Sequence, residues 1–392
     1  MVTAVRESEK SQSALTIKVI RGLPGFLALK DNWDGLLSQS RNDSIFLTWE
    51  WMYNWWLVYK ENGELFIITA EDNEGNLAGI APLAYIEKPF LLGTLRVFEF
   101  LGTGEKKKDK TCSEFLDIIA RRGMEEEVTR LIFDYLLAGA PGWDILNLES
   151  LLDTSNILRY ISTNKDENLI LRKAPNSAGG YNYFTLQQFR EEISDARERR
   201  FSKSLKNLAR HGKVSVRACD SEASLDEDMR AFIRLHQLRW ACAGRPGCFS
   251  SGKFTQFHQG LARSILKKGW LVLQLLEVND KPVACEYCFA YNRRLFIYQS
   301  GFNPRLDKNI SLGHLSMAYV IKGAFTKGIE EVDLLRGEEP YKKKWSKDKR
   351  LVFDITAARK SLKVFAYIAL KTAMEKSKSI IKAIMRKITG AK

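Results

Sequence analysis

The residues best placed for chemistry lie between positions 270 and 345. Ser311-Leu312-Gly313 stands where a run of strands gives way to a helix. A helix start leaves N–H groups unpaired and carries a partial positive charge, so a phosphate or another anion is a natural ligand there. Ser311 has a side chain suited to capping the helix, and Gly313 has no Cβ to hold a ligand away from the first turn. Rival chemistries find less support. Cys285 and Cys288 have CxxC spacing, but they fall in a strand, where residues three apart face opposite sides. A zinc site needs four convergent ligands, and the histidines at 211, 236, 258 and 314 have no ligand-like spacing. No metal is expected. The chain also lacks a GxSxG elbow, an identifiable Cys–His pairing, a Walker loop and a GxGxxG fingerprint.

Three strands must position that helix start: 270–278, about 282–291, and 295–301. The first two end in Asn279-Asp280 and Asn292-Arg293, pairs suited to tight hairpins. The turn Phe302-Asn303-Pro304 leads to the helix, which runs to about Lys327. A short strand, 331–335, then delivers the basic, aromatic segment from Arg336 to Lys342.

Upstream, the pattern predicts a strand at 15–21, a helix over 26–37 and a tryptophan-rich helix over 46–60 with Thr48 as its cap. Trp51 and Trp55, like Met52 and Trp56, stand one turn apart, the spacing of a core stripe. A hairpin at 65–70 and 77–85 follows, then strands at 97–101 and 144–148 around a helix at 125–137. Residues 186–211 read as a long helix whose Arg and Lys residues are interleaved with acids. That basic face is expected to be solvated, and nucleic acid is not an expected partner. Gly212 ends this helix, and a strand and two more helices lead to position 270. A last strand is expected at 351–356.

The 392 residues are too many for one ordinary core, so two domains are expected. Apolar residues are 45% and charged residues 28%, a globular composition without a membrane-length apolar run. The start of the chain, 1–14, lacks the apolar core of a signal peptide, and the six cysteines are scattered as reduced thiols would be. A cytoplasmic protein is the expectation. The net charge of +14 is concentrated. Residues 359–392 hold ten Lys or Arg against one Glu, a net of +9. Read as a helix, this tail has an apolar stripe at Leu362, Phe365, Ala366, Ala369, Leu370 and Ala373, continued by Ile380, Ile381, Ile384 and Met385. Peripheral contact with an anionic membrane is one expectation for it, and packing on its own domain is the other.

The order strand, strand, strand, turn, helix, strand resembles that of the GNAT acyltransferases. More specifically, the chain resembles the CelD/BcsL-like acetyltransferases, a branch related to FemAB proteins. The resemblance rests on FLTWEWMYNWW at 46–56, GNLAGIAPL at 75–83 and FLG at 100–102. It continues with KPVA at 281–284, YQSGF at 298–302, SLG at 311–313, DLLRG at 333–337 and EEPYKKKW at 338–345. It covers roughly residues 15–358. It implies an α+β fold of two tandem acyl-CoA N-acyltransferase-type halves, each a mixed, mostly antiparallel sheet flanked by helices. The halves would span 15–165 and 185–358, with 166–184 as the connection and 359–392 as the tail.

By the same resemblance the pyrophosphate of acyl-CoA would lie on the loop before the helix. In GNAT enzymes that loop reads (Gln/Arg)-x-x-Gly-x-(Gly/Ala). Here Lys308 takes the first position, Ser311 the first Gly and Gly313 the last, and Ser-Leu-Gly replaces the branch's Ser-Pro-Gly. Ser311, Leu312, Gly313, Lys308 and Lys342 are therefore the expected cofactor contacts, with acetyl-CoA or another acyl-CoA as co-substrate and no metal. Attack of an amine or hydroxyl on the thioester needs a base and an acid. Asp333, Glu338 and Glu286 are the candidate bases and Tyr341 the candidate acid. The acceptor would be a small molecule or a carbohydrate, as in polysaccharide or envelope biosynthesis. The resemblance leaves two alternatives: a FemAB-type aminoacyl-tRNA-dependent transferase, and a non-catalytic scaffold of the same fold.

Overall fold

A computed structural model describes residues 15–138, 142–176, 179–192 and 195–389. The strands in chain order are β1 (Thr16–Ile20), β2 (Glu64–Glu71), β3 (Leu77–Phe90), β4 (Gly93–Phe100), β5 (Ile119–Ala120), β6 (Ile145–Leu152) and β7 (Leu169–Pro175). They continue with β8 (Tyr181–Thr185), β9 (Val214–Ala218), β10 (Leu271–Val278), β11 (Lys281–Tyr291), β12 (Arg294–Phe302), β13 (Glu331–Arg336), β14 (Lys349–Arg350) and β15 (Val352–Arg359). They form two sheets. The first has the order β1-β2-β3-β4-β6-β15-β7, with β5 on β3, and the second has β14-β8-β13-β12-β11-β10-β9.

Each sheet is antiparallel except for one parallel pair within it, β4 with β6 and β12 with β13. In both, the parallel step is crossed by a helix, Glu125–Leu137 in the first and Leu312–Thr326 in the second. The α+β expectation and its two similar halves are borne out.

The expected connection, 166–184, does more than link the halves: it supplies β7 to the first sheet and β8 to the second. The final strand does not stay with the second half either. It enters the first sheet between β6 and β7, so the two sheets are laced together by chain exchange. The long helix expected at 186–211 is helical over Leu186–Glu192 and Asp195–Leu208, and residues 193–194 lie outside the described ones. Residues 1–14, read in the sequence as lacking a signal peptide, lie outside them too.

Local chemistry explains the meander around the site. Asn279, Asp280, Asn292 and Arg293 all have positive φ, from 43° to 60°, the conformation that two-residue hairpins require. Thr48 caps its helix by accepting from Trp51 N–H at 3.3 Å. Losing one such cap costs about 1 kcal/mol. Thr48→Ala should lower the urea-unfolding free energy by that order.

The tryptophan helix is core, as its spacing predicted. Trp51 is fully buried and donates from Nε1 to Ser113 Oγ at 2.8 Å. Its ring packs edge-on against Phe257 and Phe289, at 5.1 and 5.8 Å between centroids. Phe46 meets Phe296 in the same way at 5.7 Å. The first half therefore shares one apolar core with the second sheet. A second link is the ion pair of Arg336, at the end of β13, with Glu114 of the first half. Arg336 Nη2 donates to Glu114 Oε2 at 3.0 Å, and its Nε donates to Oε1.

Candidate active site

The geometry of the site begins with an incomplete strand pair. β12 and β13 are in register only at Arg294–Glu331, Leu295–Val332 and Phe296–Asp333. Beyond these positions they part. On β12, a bulge opposite Tyr287 and Cys288 takes Tyr298 out of register. On β13, Leu335 has φ 55°, and its N–H is taken by Asp333 Oδ1 at 2.7 Å. Bulges bend a strand and interrupt its ladder. The result is a gap of about 170 Å³ lined by Ile297, Tyr298, Gln299 and Ser300 from one strand and Leu334, Leu335 and Arg336 from the other. Cys112 and Glu114 close it from the first half.

A second cavity, about 310 Å³, adjoins the gap, since Arg239, Ile297, Ser300 and Tyr341 line both. It contains the start of the helix Leu312–Thr326: Ser311, Leu312, Gly313 and His314, with Phe302 and Glu286. A third cavity, about 320 Å³, shares His314 and is lined by Arg200, Lys344 and Trp345 among others. A larger cleft of about 800 Å³ opens elsewhere, between Trp55, Tyr59 and Lys88 of the first half and Ser250–Lys253. None of the sequence-predicted site residues lines it, and the splayed strands line the other cavities.

The predicted residues separate clearly. Ser311, Leu312, Gly313, Glu286 and Tyr341 come together in the 310 Å³ cavity. Ser311 occupies the N-cap, but its side chain caps nothing. Its ψ of 71° departs from the extended backbone that capping serines adopt, so the first-turn N–H groups are not taken up by that hydroxyl. A Cβ on Gly313 would lie 3.2 Å from the Phe302 ring, so the glycine lets that ring pack on the first turn.

Glu286 is buried on β11 and faces this cavity. Burial pushes its carboxyl up to about 8, against the pull of the Arg239 charge. A carboxyl with a pKa near the working pH can take or give a proton. Burial also raises Tyr341, which keeps its phenol protonated.

Four of the expected site residues are placed otherwise than their expected roles require. Asp333 is buried and lines none of these cavities. It accepts from Leu335 N–H and lies 3.5 Å from Arg350. Burial pushes its pKa up to about 6, with Arg350 opposing. Its task is to hold the bend in β13. Glu338 is exposed and lies 3.8 Å from Lys349, away from the cavities. Lys342 does line the gap, but its ammonium is committed to the protein. It donates to the carbonyls of Leu335, at 3.1 Å, and Arg336, and pairs with Glu339 at 3.1 Å. It fastens the splayed strand and leaves no donor directed at the helix start. Lys308 is exposed on the preceding loop and is not part of the cavity wall.

Sequence reasoning missed Arg239. Its Nη1 donates to Ser300 Oγ at 2.7 Å and to Ser300 O at 3.2 Å, and its guanidinium lies over the Phe302 ring at 5.1 Å. It is one of three Arg residues in the helix Glu222–Cys242, and nothing in their spacing singles it out. Cys112 and Glu114 were missed too. Their only local signal is an irregular segment, in which Cys112 and Phe115 have positive φ.

Comparison with known proteins agrees with this geometry. A family model described as an acetyltransferase (GNAT) domain matches residues 195–343. No curated protein matches the chain. Among solved structures, FemX is similar with a TM-score of 0.57 at 9% identity, covering 83% of this chain and 95% of that one. The C-terminal domain of a lysylphosphatidylglycerol synthetase from Agrobacterium fabrum gives 0.52 at 12%, covering 89% and 96%. L-PGS from Bacillus licheniformis gives 0.50 at 12%, covering 88% and 95%. At such identities the likeness is one of fold. The chain has a two-sheet, GNAT-type fold, and the stretch that matches the acetyltransferase (GNAT) family model includes the splayed strands and the helix start.

Proposed function

We propose that this protein transfers an acyl group, acetyl in the simplest case, from acyl-CoA to an amine or hydroxyl of a small-molecule or carbohydrate acceptor. The observation that carries this reading is the splay of β12 from β13 directly beside a helix start. A parted parallel pair offers backbone N–H and C=O groups to an extended ligand, which can add as a strand would. The amide-bearing pantetheine arm is such a ligand. The first-turn N–H groups near Gly313 suit its pyrophosphate. Arg200 and Lys344 of the third cavity add positive charge for the nucleotide end.

In this reading Glu286, deprotonated, takes the proton of the acceptor as its nitrogen or oxygen attacks the thioester carbonyl. The C–S bond then breaks, and Tyr341 gives a proton to the departing thiolate. Arg239 orients Ser300 and keeps positive charge beside Glu286. The resemblance to CelD/BcsL-like proteins supports a carbohydrate acceptor.

The test is titration calorimetry with acetyl-CoA. Wild type should bind saturably, and Gly313→Leu, which fills the cavity and displaces Phe302, should bind at least about ten-fold more weakly with an unchanged circular dichroism spectrum. Equal affinity would remove the site. The likeness to FemX and to lysylphosphatidylglycerol synthetases favours a second reading, aminoacyl transfer from charged tRNA. Arg199, Arg200 and Lys203 form an exposed basic face next to the third cavity. Binding of charged tRNA that collapses with salt, without acetyl-CoA binding, would select that reading.

A further inference from the structure

The apolar stripe of the C-terminal tail faces away from the protein. The helix Leu362–Thr389 docks on the first sheet through Val364, which is fully buried among Leu95, Val97, Ile145 and Ala358, with Tyr367 and Ile368 packed beside it. Lys363 Nζ fastens it by donating to Thr94 O and Asp144 Oδ2, both at 2.7 Å. On a helix, residues opposite 364 and 368 are those at 362, 366, 369 and 373. Leu362, on that opposite side, is 87% exposed, and Phe365, Leu370 and Met374, which flank it, are about half exposed. The side chains at 380, 381, 384 and 385 lie outside the described residues.

The fold sets a second apolar feature next to this face. The β3–β4 hairpin carries Leu91 and Leu92 at its tip, 87% and 55% exposed. It is held against the helix by the rings of Phe90 and Tyr367, 5.6 Å apart. Among the described residues, the two leucines at the hairpin tip and the leucine-phenylalanine face on the adjoining helix belong to none of the core clusters. Both cost free energy in water.

We propose that this composite surface, hairpin tip and helix face together, docks on the surface of an anionic lipid bilayer. Charge decides among occupants. The segment 359–392 carries a net +9, so two copies of the chain would repel across this face, whereas acidic headgroups would attract it. A nucleic acid would satisfy the charge and leave the leucines and Phe365 in water. Among the described residues no helix is long and apolar enough to cross a membrane, so the contact lies along the interface. Leucine and phenylalanine side chains would enter the headgroup boundary while lysines meet the lipid phosphates.

The experiment is flotation of the full chain with vesicles of phosphatidylcholine alone and of phosphatidylcholine with phosphatidylglycerol. The full chain should float with the anionic vesicles only, and less as salt rises. Two charge-neutral variants, Leu91→Ser/Leu92→Ser and Phe365→Gln/Leu370→Gln, alter exposed side chains and should keep the wild-type melting midpoint. Each should weaken vesicle binding by at least about ten-fold. Failure of the wild type to float overturns the proposal, as does either variant floating like the wild type. A lipid-free dimer that Phe365→Gln/Leu370→Gln converts to monomer would also overturn it, since the face would then be a protein interface.

Discussion

Glu286→Gln should lower kcat/KM by roughly 10²–10⁴, the usual worth of a positioned base, while making the protein more stable at alkaline pH. The two effects share one cause. The Glu286 carboxyl is buried in the wall of the cavity, and burial lifts it from an ordinary value near 4.5 to about 8. A group that holds its proton more tightly when folded adds stability at low pH. That contribution is complete below about 4.5 and is lost as pH rises through about 8. Above 8 the wild type must keep a carboxylate out of water, and glutamine carries no such charge. The difference has a ceiling on the order of 5 kcal/mol, from a shift of about 3.5 units at 1.36 kcal/mol each. Melting curves of the two proteins should therefore nearly coincide at pH 4.5 and separate progressively towards pH 9. The rate profile should move in the opposite sense. Wild-type kcat/KM should rise with pH through about 8 as the base loses its proton, and the variant's should be flat. A variant that keeps wild-type turnover and its pH profile would show that the acceptor's proton leaves by another path.

The second large effect concerns the joint between the halves. Glu114 is buried and Arg336 is half-buried beside it, and the two share two hydrogen bonds. Replacing Arg336 with Met leaves the Glu114 carboxylate enclosed without its counter-charge, which should cost about 4 kcal/mol. Adding Glu114→Met should restore much of that loss, because two apolar groups of similar volume avoid desolvating any charge. Urea denaturation of the single and double variants measures both. If the single variant loses under about 1 kcal/mol, water reaches Glu114 and the joint is weaker than its geometry implies. The double variant should nonetheless bind acetyl-CoA poorly, because Arg336 lines the gap between the strands.

Much of the fold around the site was legible because it depends on neighbours in the chain. Asn279-Asp280 and Asn292-Arg293 announce tight hairpins, and all four residues adopt the left-handed backbone that such turns need. Thr48 stands before a tryptophan-rich helix and caps it. Gly313 follows a strand and opens a helix, and the cavity forms there. These are rules of spacing and propensity within a few residues, which a sequence states directly.

Which carboxylate faces that cavity was another matter. Asp333 stands near a strand end just as a catalytic group would, yet its side chain points at Arg350 and at the N–H of Leu335. Glu286, between two cysteines in the middle of a strand, faces the helix start from the adjoining part of the sheet. Arg239 reaches the same cavity from a helix more than forty residues earlier in the chain.

By itself the sequence determined the strand meander, the helix beside it, the aromatic core helix and a charged amphipathic tail, each from local pattern. Tertiary structure alone decided four further things: that β12 and β13 part, that β15 joins the first sheet, that Arg336 meets Glu114, and that the tail docks by Val364 with its stripe outward. The physical reason is common to all four. Each depends on which groups compete for one buried place, and those groups come from segments far apart in the chain. Periodicity gives each residue a face on its own element but not the neighbour that face will meet.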